Sequence, residues 1–279
     1  MIAQQEMAAE ITQDYVIVVP QEASETESYA AKELSDYIFK INGVRLTVRT
    51  DGEPEQAKEI CVGDTNREPE GLEEPELYYD GYWLLNQADK LFITGENDRG
   101  VLYGVYGLLE EVWGCRFYTA LVEKVPKRAR LEVPEDLNLV RNPAFEFRDT
   151  NWLSAQTADF AAKRGYNGQF SQLTQREGGA ITYFGSFVHT FNDYVPVERY
   201  YETHPEYFSM VGGVRLREQT QLCLTNPEVL EIVTQGVLDN IKANPNRKIF
   251  SISQNDCYNP CTCPACAQID EQEGSHAGT

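Results

Sequence analysis

The amino-acid sequence predicts an α/β fold class arranged in two parts. Strand-like and helix-like segments alternate along most of the chain, which is typical of βα units with parallel strands. The length of 279 residues predicts two domains. Polar residues follow the strand-like segments of the second half, as is typical of the loops at the carboxyl ends of parallel strands.

The first part covers residues 11–140 and begins with a predicted buried strand at 15–19. Ser24 and Glu27 then form a capping-box pattern, and apolar residues recur at helical spacing until Asn42-Gly43. Further strands are predicted at 46–48, 59–62, 82–85 and 91–94, and a second helix at 98–112. The glycines inside that second helix indicate close packing on a sheet rather than ligand binding.

The second part, residues 141–279, has shorter and weaker patterns. Strands are predicted at 144–148, 166–170, 181–188 and 248–253, and helices at 152–164 and after the cap Asn226-Pro227-Glu228. These are about four of the eight strands of a closed (β/α)₈ barrel, and a barrel needs roughly 200–250 residues. Either the sheet is open and small, or the chain stops midway through its domain. Residues 1–10 are predicted to be a flexible N-terminus.

Composition and charge argue against several classes of function. The formal net charge of −20 argues against a nucleic-acid partner. No apolar run approaches the ~18 residues that a transmembrane helix needs. The first residues lack the basic end and apolar stretch of a signal peptide, which predicts a cytoplasmic protein, or an extracellular one if the true N-terminus is missing.

Polar side chains follow the predicted strands of the second part. Arg148 and Asn151 follow the first of these strands, His189 the third, and Asn255 and Asp256 the fourth. Catalytic groups of α/β proteins gather on loops of this kind. Together these residues supply a cation, amides, an imidazole and a carboxylate, which are the groups that bind hydroxyl-rich sugars.

Asp256 is the predicted catalytic residue, because it terminates a strongly apolar strand. Glycoside hydrolysis usually uses two carboxylates, and the partner of Asp256 is not assigned by the sequence. The predicted substrate-binding residues are Arg148, Asn151, Trp152, His189 and Asn255, with the indole placed to stack on a sugar ring. The alternatives are structural: Asp256 caps a turn, and His189 is a hydrogen-bonded structural histidine.

Four of the seven cysteines fall in one short segment, with the spacing C-x₃-C-x-C-x₂-C. They are Cys257, Cys261, Cys263 and Cys266. Three interpretations stay open, in this order: reduced or structural thiols, a metal site holding zinc, and disulfides. The remaining cysteines (Cys61, Cys115 and Cys223) lie in apolar settings and are predicted to be core residues.

Several motifs resemble known families. The N-terminal motifs Ser28-Tyr29-Ala30-Ala31-Lys32-Glu33-Leu34, Val62-Gly63-Asp64-Thr65 and Arg99-Gly100-Val101-Leu102-Tyr103-Gly104-Val105-Tyr106 resemble the accessory domain of α-glucuronidases and β-hexosaminidases. The later motifs His204-Pro205-Glu206-Tyr207-Phe208, Cys223-Leu224-Thr225-Asn226-Pro227-Glu228-Val229, Ser253-Gln254-Asn255-Asp256 and Cys263-Pro264-Ala265-Cys266 resemble a bacterial domain-of-unknown-function family of glycoside-hydrolase-like proteins.

The resemblance implies an accessory α/β domain followed by the first half of a (β/α)₈ TIM-barrel-like domain, here truncated. It does not extend to the hexosaminidase reaction, because the adjacent Asp-Glu pair of that family is absent: Cys257 follows Asp256.

Three functional hypotheses result. The first is a glycoside hydrolase, or a fragment of one, acting on O-glycosyl bonds of a poly- or oligosaccharide. The others are a non-catalytic carbohydrate-binding protein and a metal-binding module at the cysteine cluster. Hydrolysis is expected to need no cofactor, so zinc at the cysteines is the one metal expected. The expected partner is carbohydrate, and self-association is expected because a half barrel has open strand edges.

Overall fold

The computed structural model of the chain describes residues 8–276 and confirms the mixed α/β class. The chain divides into two compact units, Met1–Ile181 and Thr182–Thr279. Residues 1–7 of the predicted flexible N-terminus lie outside the described residues, whereas residues 8–10 form a paired strand, so the prediction is wrong for these three. Among the described residues, no helix has both the length and the apolar character needed to cross a bilayer.

The first unit contains a six-stranded mixed sheet. The strands of the whole unit are β1 (Ala8–Glu10), β2 (Val16–Val19), β3 (Thr47–Thr50), β4 (Glu59–Val62), β5 (Tyr82–Gln87), β6 (Lys90–Gly95), β7 (Arg116–Thr119), β8 (Val122–Lys124), β9 (Glu132–Pro134) and β10 (Asn138–Arg141). The sheet order is β10-β5-β6-β4-β2-β3. Strand β2 pairs in parallel with β3 and β4, and β4 with β6, whereas β5 is antiparallel to β6 and β10. Two small antiparallel pairs, β1–β9 and β7–β8, complete the strands.

The helices of this unit are α1 (Glu25–Asn42), α2 (Asp98–Gly107) with a π-helical extension (Leu108–Val112), and α3 (Ala158–Lys163). Helix α1 begins at the predicted capping box: Ser24 Oγ accepts from Glu27 N at 3.1 Å, and Glu27 Oε2 accepts from Ser24 N at 2.8 Å. It ends at Gly43, whose φ of 83° is left-handed. Helices α1 and α2 pack together, and the apolar core contains Leu34 and Leu102.

Close packing explains the glycines of α2. A Cβ atom on Gly104 would lie 2.9 Å from Ile93 Cγ2 and 3.2 Å from Tyr82 Cβ. Both neighbours belong to the β5–β6 hairpin, so the glycine lets the helix approach the sheet. The predicted structural role of these glycines is confirmed.

The strands predicted at 144–148 and 166–170 are wrong, because this segment is irregular apart from short 3₁₀ turns. The helix predicted at 152–164 is interrupted: a 3₁₀ turn (Leu153–Ala155) precedes α3. Residues 141–181 belong to the first compact unit, and Phe160 and Leu173 join its main core. The predicted domain boundary at residue 140 therefore does not coincide with the division into compact units.

The second unit has short strands and several helices. They are β11 (Tyr183–Phe184), α4 (Phe191–Tyr194), α5 (Val197–Tyr200), β12 (Met210–Val211), β13 (Val214–Arg215), α6 (Pro227–Ala243), β14 (Ile249–Phe250) and α7 (Pro264–Glu273). Strands β11 and β14 pair in parallel, and β12–β13 form an antiparallel hairpin. The strands predicted at 181–188 and 248–253 are thus present but shorter, and their parallel pairing is confirmed.

Helix α6 begins at the predicted cap, where Asn226 Oδ1 accepts from Glu228 N at 2.9 Å. Val229 of this helix is buried, whereas Leu230 is 65% exposed and Ile241 is 43% exposed.

Candidate functional site

Four buried thiols meet in the second unit. They belong to Cys223, Cys261, Cys263 and Cys266, and their sulfur atoms all lie within 4.8 Å of one another. Cys223 Sγ is 3.7 Å from Cys263 Sγ and 3.8 Å from Cys266 Sγ. A disulfide bond is ~2.05 Å long, and all seven cysteines are free thiols, so the disulfide interpretation has no support. We call these four residues the thiol cluster.

The thiol cluster corrects the predicted metal-ligand set in one position. Cys257 is outside it: its sulfur instead accepts a hydrogen bond from Gln221 Nε2 at 3.2 Å. Cys223, predicted to be a core residue, takes its place. Zinc sites commonly combine ligand groups from separate segments of the chain. This tendency could have indicated that one ligand lies far from the other three in the sequence.

Three hydrogen-bond donors point at the sulfurs of the thiol cluster. Met210 N is 3.4 Å from Cys261 Sγ, and Arg215 Nη1 is 3.7 Å from the same atom. Thr225 Oγ1 lies 3.2 Å from Cys266 Sγ. Helix α7 begins directly after Cys263, so the positive end of its dipole lies at the cluster. Negative charge on the sulfurs is therefore stabilised from several sides.

The proton equilibria inside the cluster are strongly coupled. A hydrogen bond from the Cys261 thiol lowers the pKa of Cys223 well below its usual value, against the opposing effect of burial, and Thr225 and Arg215 lower it further. The same hydrogen bond, together with burial, raises the pKa of Cys261. The hydrogen bond between these two residues therefore favours the thiolate form of Cys223 over that of Cys261.

A cavity of about 310 Å³ lies beside the thiol cluster. Its lining combines apolar, amide, hydroxyl and aromatic groups: Phe191, Gln221, Leu222, Leu224, Ile252, Ser253, Gln254, Cys257, Tyr258, Pro260, Cys261 and His276. Tyr258 is 85% exposed, so its ring is available to a ligand. Apolar walls with a few polar groups are typical of small-molecule sites.

The loops after β11 and β14 meet next to this cavity. Thr190 N and Phe191 N both donate to Ser253 O at 3.1 Å. His189 Nδ1 lies 3.0 Å from the backbone oxygen of Gln254. A carbonyl oxygen only accepts, so Nδ1 carries the proton, and neutral His189 then presents Nε2 as an acceptor. The two predicted strand-end segments of this unit are therefore brought together.

The predicted site residues of the second unit differ in their roles. Asn255 is a structural connector: its Nδ2 donates to Thr220 O at 3.0 Å, and its N donates to Gln221 Oε1 at 2.9 Å. Asp256 is exposed, on the loop after β14. His189 is exposed and has a left-handed φ of 60°, which is uncommon for a residue other than glycine.

Arg148 is held within the first unit rather than directed at a ligand. Its Nη2 donates to Asp80 Oδ2 at 2.7 Å, and its Nε donates to Gly165 O at 2.7 Å. Nη1 donates to three further backbone oxygens, those of Phe145, Glu146 and Tyr79. All three guanidinium nitrogens are occupied, so the predicted substrate-binding role is replaced by a structural one. Sequence reasoning missed Asp80, which has no strand-end position.

Asp80 is buried and binds several cations and amides. It accepts from Arg99 Nη2 at 2.8 Å and from Asn167 Nδ2 at 2.8 Å, in addition to Arg148. Burial raises the pKa of Asp80, but the hydrogen bond and charge of Arg99, with the nearby amides, outweigh it and lower the pKa to about 2. This group stabilises the first unit.

The other two predicted substrate-binding residues also lie in the first unit. Asn151 is exposed, and Trp152 is 59% exposed with its N donating to Thr150 Oγ1 at 3.2 Å. The predicted set is therefore divided between the two compact units.

Residues 2–108 match the domain described as the glycosyl hydrolase family 67 N-terminus, which makes this a glycoside-hydrolase-related α/β protein. The chain belongs to the family described as domain of unknown function DUF4838, which matches residues 117–279. Both resemblances stated from the motifs are confirmed.

A probable α-glucuronidase A from Neosartorya fischeri is 33% identical over 84 residues, which cover 29% of this chain and 10% of that protein. A family GH115 4-O-methyl-α-glucuronidase with specificity for decorated arabinogalactans is 10% identical, with a TM-score of 0.48 over 86% of this chain and 41% of that one. The chitobiase of Flavobacterium johnsoniae is 14% identical, with a TM-score of 0.45 over 96% and 46%. The chain thus spans a tenth of the curated relative and less than half of these solved structures.

Proposed function

We propose that this chain is part of a glycoside hydrolase that cleaves O-glycosyl bonds of an oligo- or polysaccharide bound at the cavity of the second unit. The family 67 N-terminal match supports an accessory domain of glycosidase type. We propose further that the second unit is the first portion of a (β/α)₈-like domain, which the parallel pair β11–β14 supports.

The observation that carries the proposal is the cavity itself. It lies at the loop after a parallel strand, where α/β enzymes place their sites. The amide of Gln254 and the hydroxyl of Ser253 offer partners to sugar hydroxyls, and Tyr258 offers a ring face. This combination of hydrogen-bonding and aromatic groups suits a carbohydrate.

In this proposal Asp256 supplies one of the two carboxylates of glycoside hydrolysis, because it lies on the loop that contributes Gln254 and Tyr258. His189, with Nε2 as an acceptor, binds a substrate hydroxyl. The partner of Asp256 is not among the described residues that line the cavity. Hydrolysis of this type requires no metal, so the zinc proposed for the thiol cluster has a structural role.

A second candidate function is carbohydrate binding without turnover. It is favoured by one specific observation: no aspartate or glutamate is among the cavity-lining residues in the described part of the chain. The cytoplasmic location predicted from the sequence remains part of the proposal.

The test is a panel of glycosides, beginning with α-glucuronosides because the curated relative is a probable α-glucuronidase. We expect the purified protein to release sugar, and Asp256→Asn to lower the rate by about 10²–10⁴-fold, the usual contribution of a general acid or base. Glu231→Gln, an exposed carboxylate on α6, is the matched control and should leave the rate unchanged.

Binding measurements on the same panel separate the two candidates. Binding without turnover, equal in wild type and Asp256→Asn, supports the non-catalytic function. Turnover that survives Asp256→Asn contradicts the role of Asp256. Neither binding nor turnover across the panel contradicts both candidates.

A further inference from the structure

The spacing of the thiol cluster matches that of a mononuclear metal site. Zinc binds thiolate sulfur at ~2.3 Å in a tetrahedron, so four such ligands lie about 3.8 Å apart. The distances from Cys223 Sγ to the sulfurs of Cys263 and Cys266 are 3.7 and 3.8 Å. A [4Fe–4S] cluster would hold its ligands farther apart, because each thiolate binds a different iron.

The surroundings of the sulfurs also favour thiolates over four neutral core cysteines. Neutral thiols pack like small apolar side chains and need no donors. Here a backbone N–H of Met210, the guanidinium of Arg215 and the hydroxyl of Thr225 all approach sulfur atoms. Outer donors of this kind are typical of metal sites, where they orient and stabilise the ligands.

The thiol cluster lies between the two segments that form one side of the cavity. Cys223 is flanked by the lining residues Leu222 and Leu224, and Cys261 itself lines the cavity after Tyr258. We call these segments, residues 221–224 and 257–261, the two walls. Hydrogen bonds from Gln221 Nε2 to Asn255 O and Cys257 O, at 2.8 and 2.6 Å, also connect them.

We infer that Cys223, Cys261, Cys263 and Cys266 bind one Zn²⁺ as a tetrathiolate site that joins the two walls of the cavity. The thiols release their protons to solvent as they bind, and the metal is not a reactant. The metal site stands on the sulfur geometry and on the donors around the sulfurs; only the identity of the cavity's ligand rests on the proposed function.

The second unit has a small apolar core, so a bound ion would add to its stability. The largest buried apolar cluster there contains only Phe191, Val195, Tyr207, Phe208, Leu222 and Val229. The segment from β14 to α7 contains no regular secondary structure, and it includes one complete wall. Small or weakly packed domains commonly depend on a metal or disulfides for stability.

Metal content distinguishes this ligand set from the one that the sequence spacing predicts. The wild-type protein, purified without chelators, should contain one zinc per chain by elemental analysis. After dialysis, Cys223→Ser should retain at most about a tenth of the wild-type zinc content. Cys257→Ser is the matched control and should retain the wild-type amount. Equal zinc in the two variants, or iron in place of zinc, overturns the inference.

A variant that keeps a complete ligand set covers the case in which Cys223→Ser does not fold. Cys266→His creates a Cys₃His set, which also binds zinc, and should retain the metal. Cobalt substitution of the wild type should give the visible absorption of a tetrahedral thiolate complex. Folded wild-type protein that takes up neither metal contradicts the site.

Backbone hydrogen exchange tests whether the ion joins the walls. Cys223 N donates to Tyr207 O at 2.8 Å, and Thr262 N donates to Met210 O at 2.7 Å. Removing zinc should raise exchange at both amides at least about tenfold, and restoring zinc should reverse the change. Unchanged exchange in zinc-free protein overturns the joining role even if zinc binds.

Binding of p-nitrophenyl α-D-glucuronide, or of any panel sugar that binds, should weaken at least about tenfold when zinc is removed and recover when zinc is restored. Equal affinity with and without zinc contradicts the dependence of the cavity on the metal. If no sugar binds the zinc-loaded protein, the proposed function fails, while zinc content and hydrogen exchange still decide the metal site.

Discussion

The first unit and the second unit are stabilised by different kinds of interaction. In the first, a six-stranded sheet and two long helices enclose a large apolar core, and a buried carboxylate network adds to it. In the second, no strand of the described chain exceeds two residues, and the buried apolar cluster is small. The second unit has instead a group of four buried thiols and a set of side-chain amides.

This difference shows where each unit is most vulnerable. The first unit has many apolar contacts, so one lost side chain removes a small share of its stability, unless that loss leaves a buried charge unpaired. The second unit depends on few groups, all near the cavity. Its stability and its ligand site are therefore expected to respond to the same changes, with metal removal as the largest.

The largest single-residue effect in the first unit is expected at Asp80. Asp80→Asn removes the buried carboxylate that pairs with the partly buried guanidinium groups of Arg99 and Arg148, which typically costs about 3–5 kcal/mol. Urea unfolding followed by tryptophan fluorescence measures this, because all three tryptophans (Trp83, Trp113 and Trp152) lie in the first unit. The exposed control Glu68→Gln should change stability by less than about 0.5 kcal/mol, and a similar small value for Asp80→Asn would contradict the assignment.

The free energy of unfolding of the first unit should depend on pH through the ionisation of Asp80. Its pKa is lowered from 3.8 to about 2 in the folded protein. The stabilisation is therefore fully present above pH ~4 and is lost as the pH falls towards 2; it amounts to about 2 kcal/mol. The difference in unfolding free energy between wild type and Asp80→Asn should become smaller as the pH falls over this range. A constant difference would contradict the stabilisation of the first unit by ionised Asp80.

The smallest effects compare the caps of one helix in each unit. Ser24→Ala removes the cap of α1, and Asn226→Ala removes that of α6; each should cost about 1 kcal/mol. Asn226→Asp, which keeps an accepting oxygen, is the control. The loss should appear in tryptophan fluorescence for Ser24→Ala and in hydrogen exchange of the second unit for Asn226→Ala. A loss seen by tryptophan fluorescence for Asn226→Ala, or by hydrogen exchange of the second unit for Ser24→Ala, would contradict the division into two units.

Local signals predicted much of the fold. The capping box of α1, the Asn226 cap of α6 and the strands at 82–85 and 91–94 all depend on residues close in sequence, and the structure confirms each of them. The strands at 144–148 and 166–170 were wrong because side-chain bonds of Arg148 and Asn167 to distant Asp80 determine that segment. Alternating polarity cannot reveal such a partner.

The site was predicted only where its residues follow one another. The segment from Gln254 to Cys266 was recognised, since its cysteines and polar residues are clustered. Cys223 was missed, because it stands alone in an apolar stretch and meets the other thiols only after the chain has folded. Arg148 was predicted to bind substrate because the sequence shows its position after a predicted strand. The sequence does not show its buried partner, Asp80.

Removal of metal from the native protein, with both units followed separately, tests most directly whether a zinc site stabilises the second unit. A chelator should raise hydrogen exchange at Cys223 and Thr262 while the urea midpoint reported by tryptophan fluorescence stays unchanged. Unchanged exchange at these two amides, or a fall in the fluorescence midpoint of the first unit, would contradict a zinc site that stabilises the second unit and its cavity.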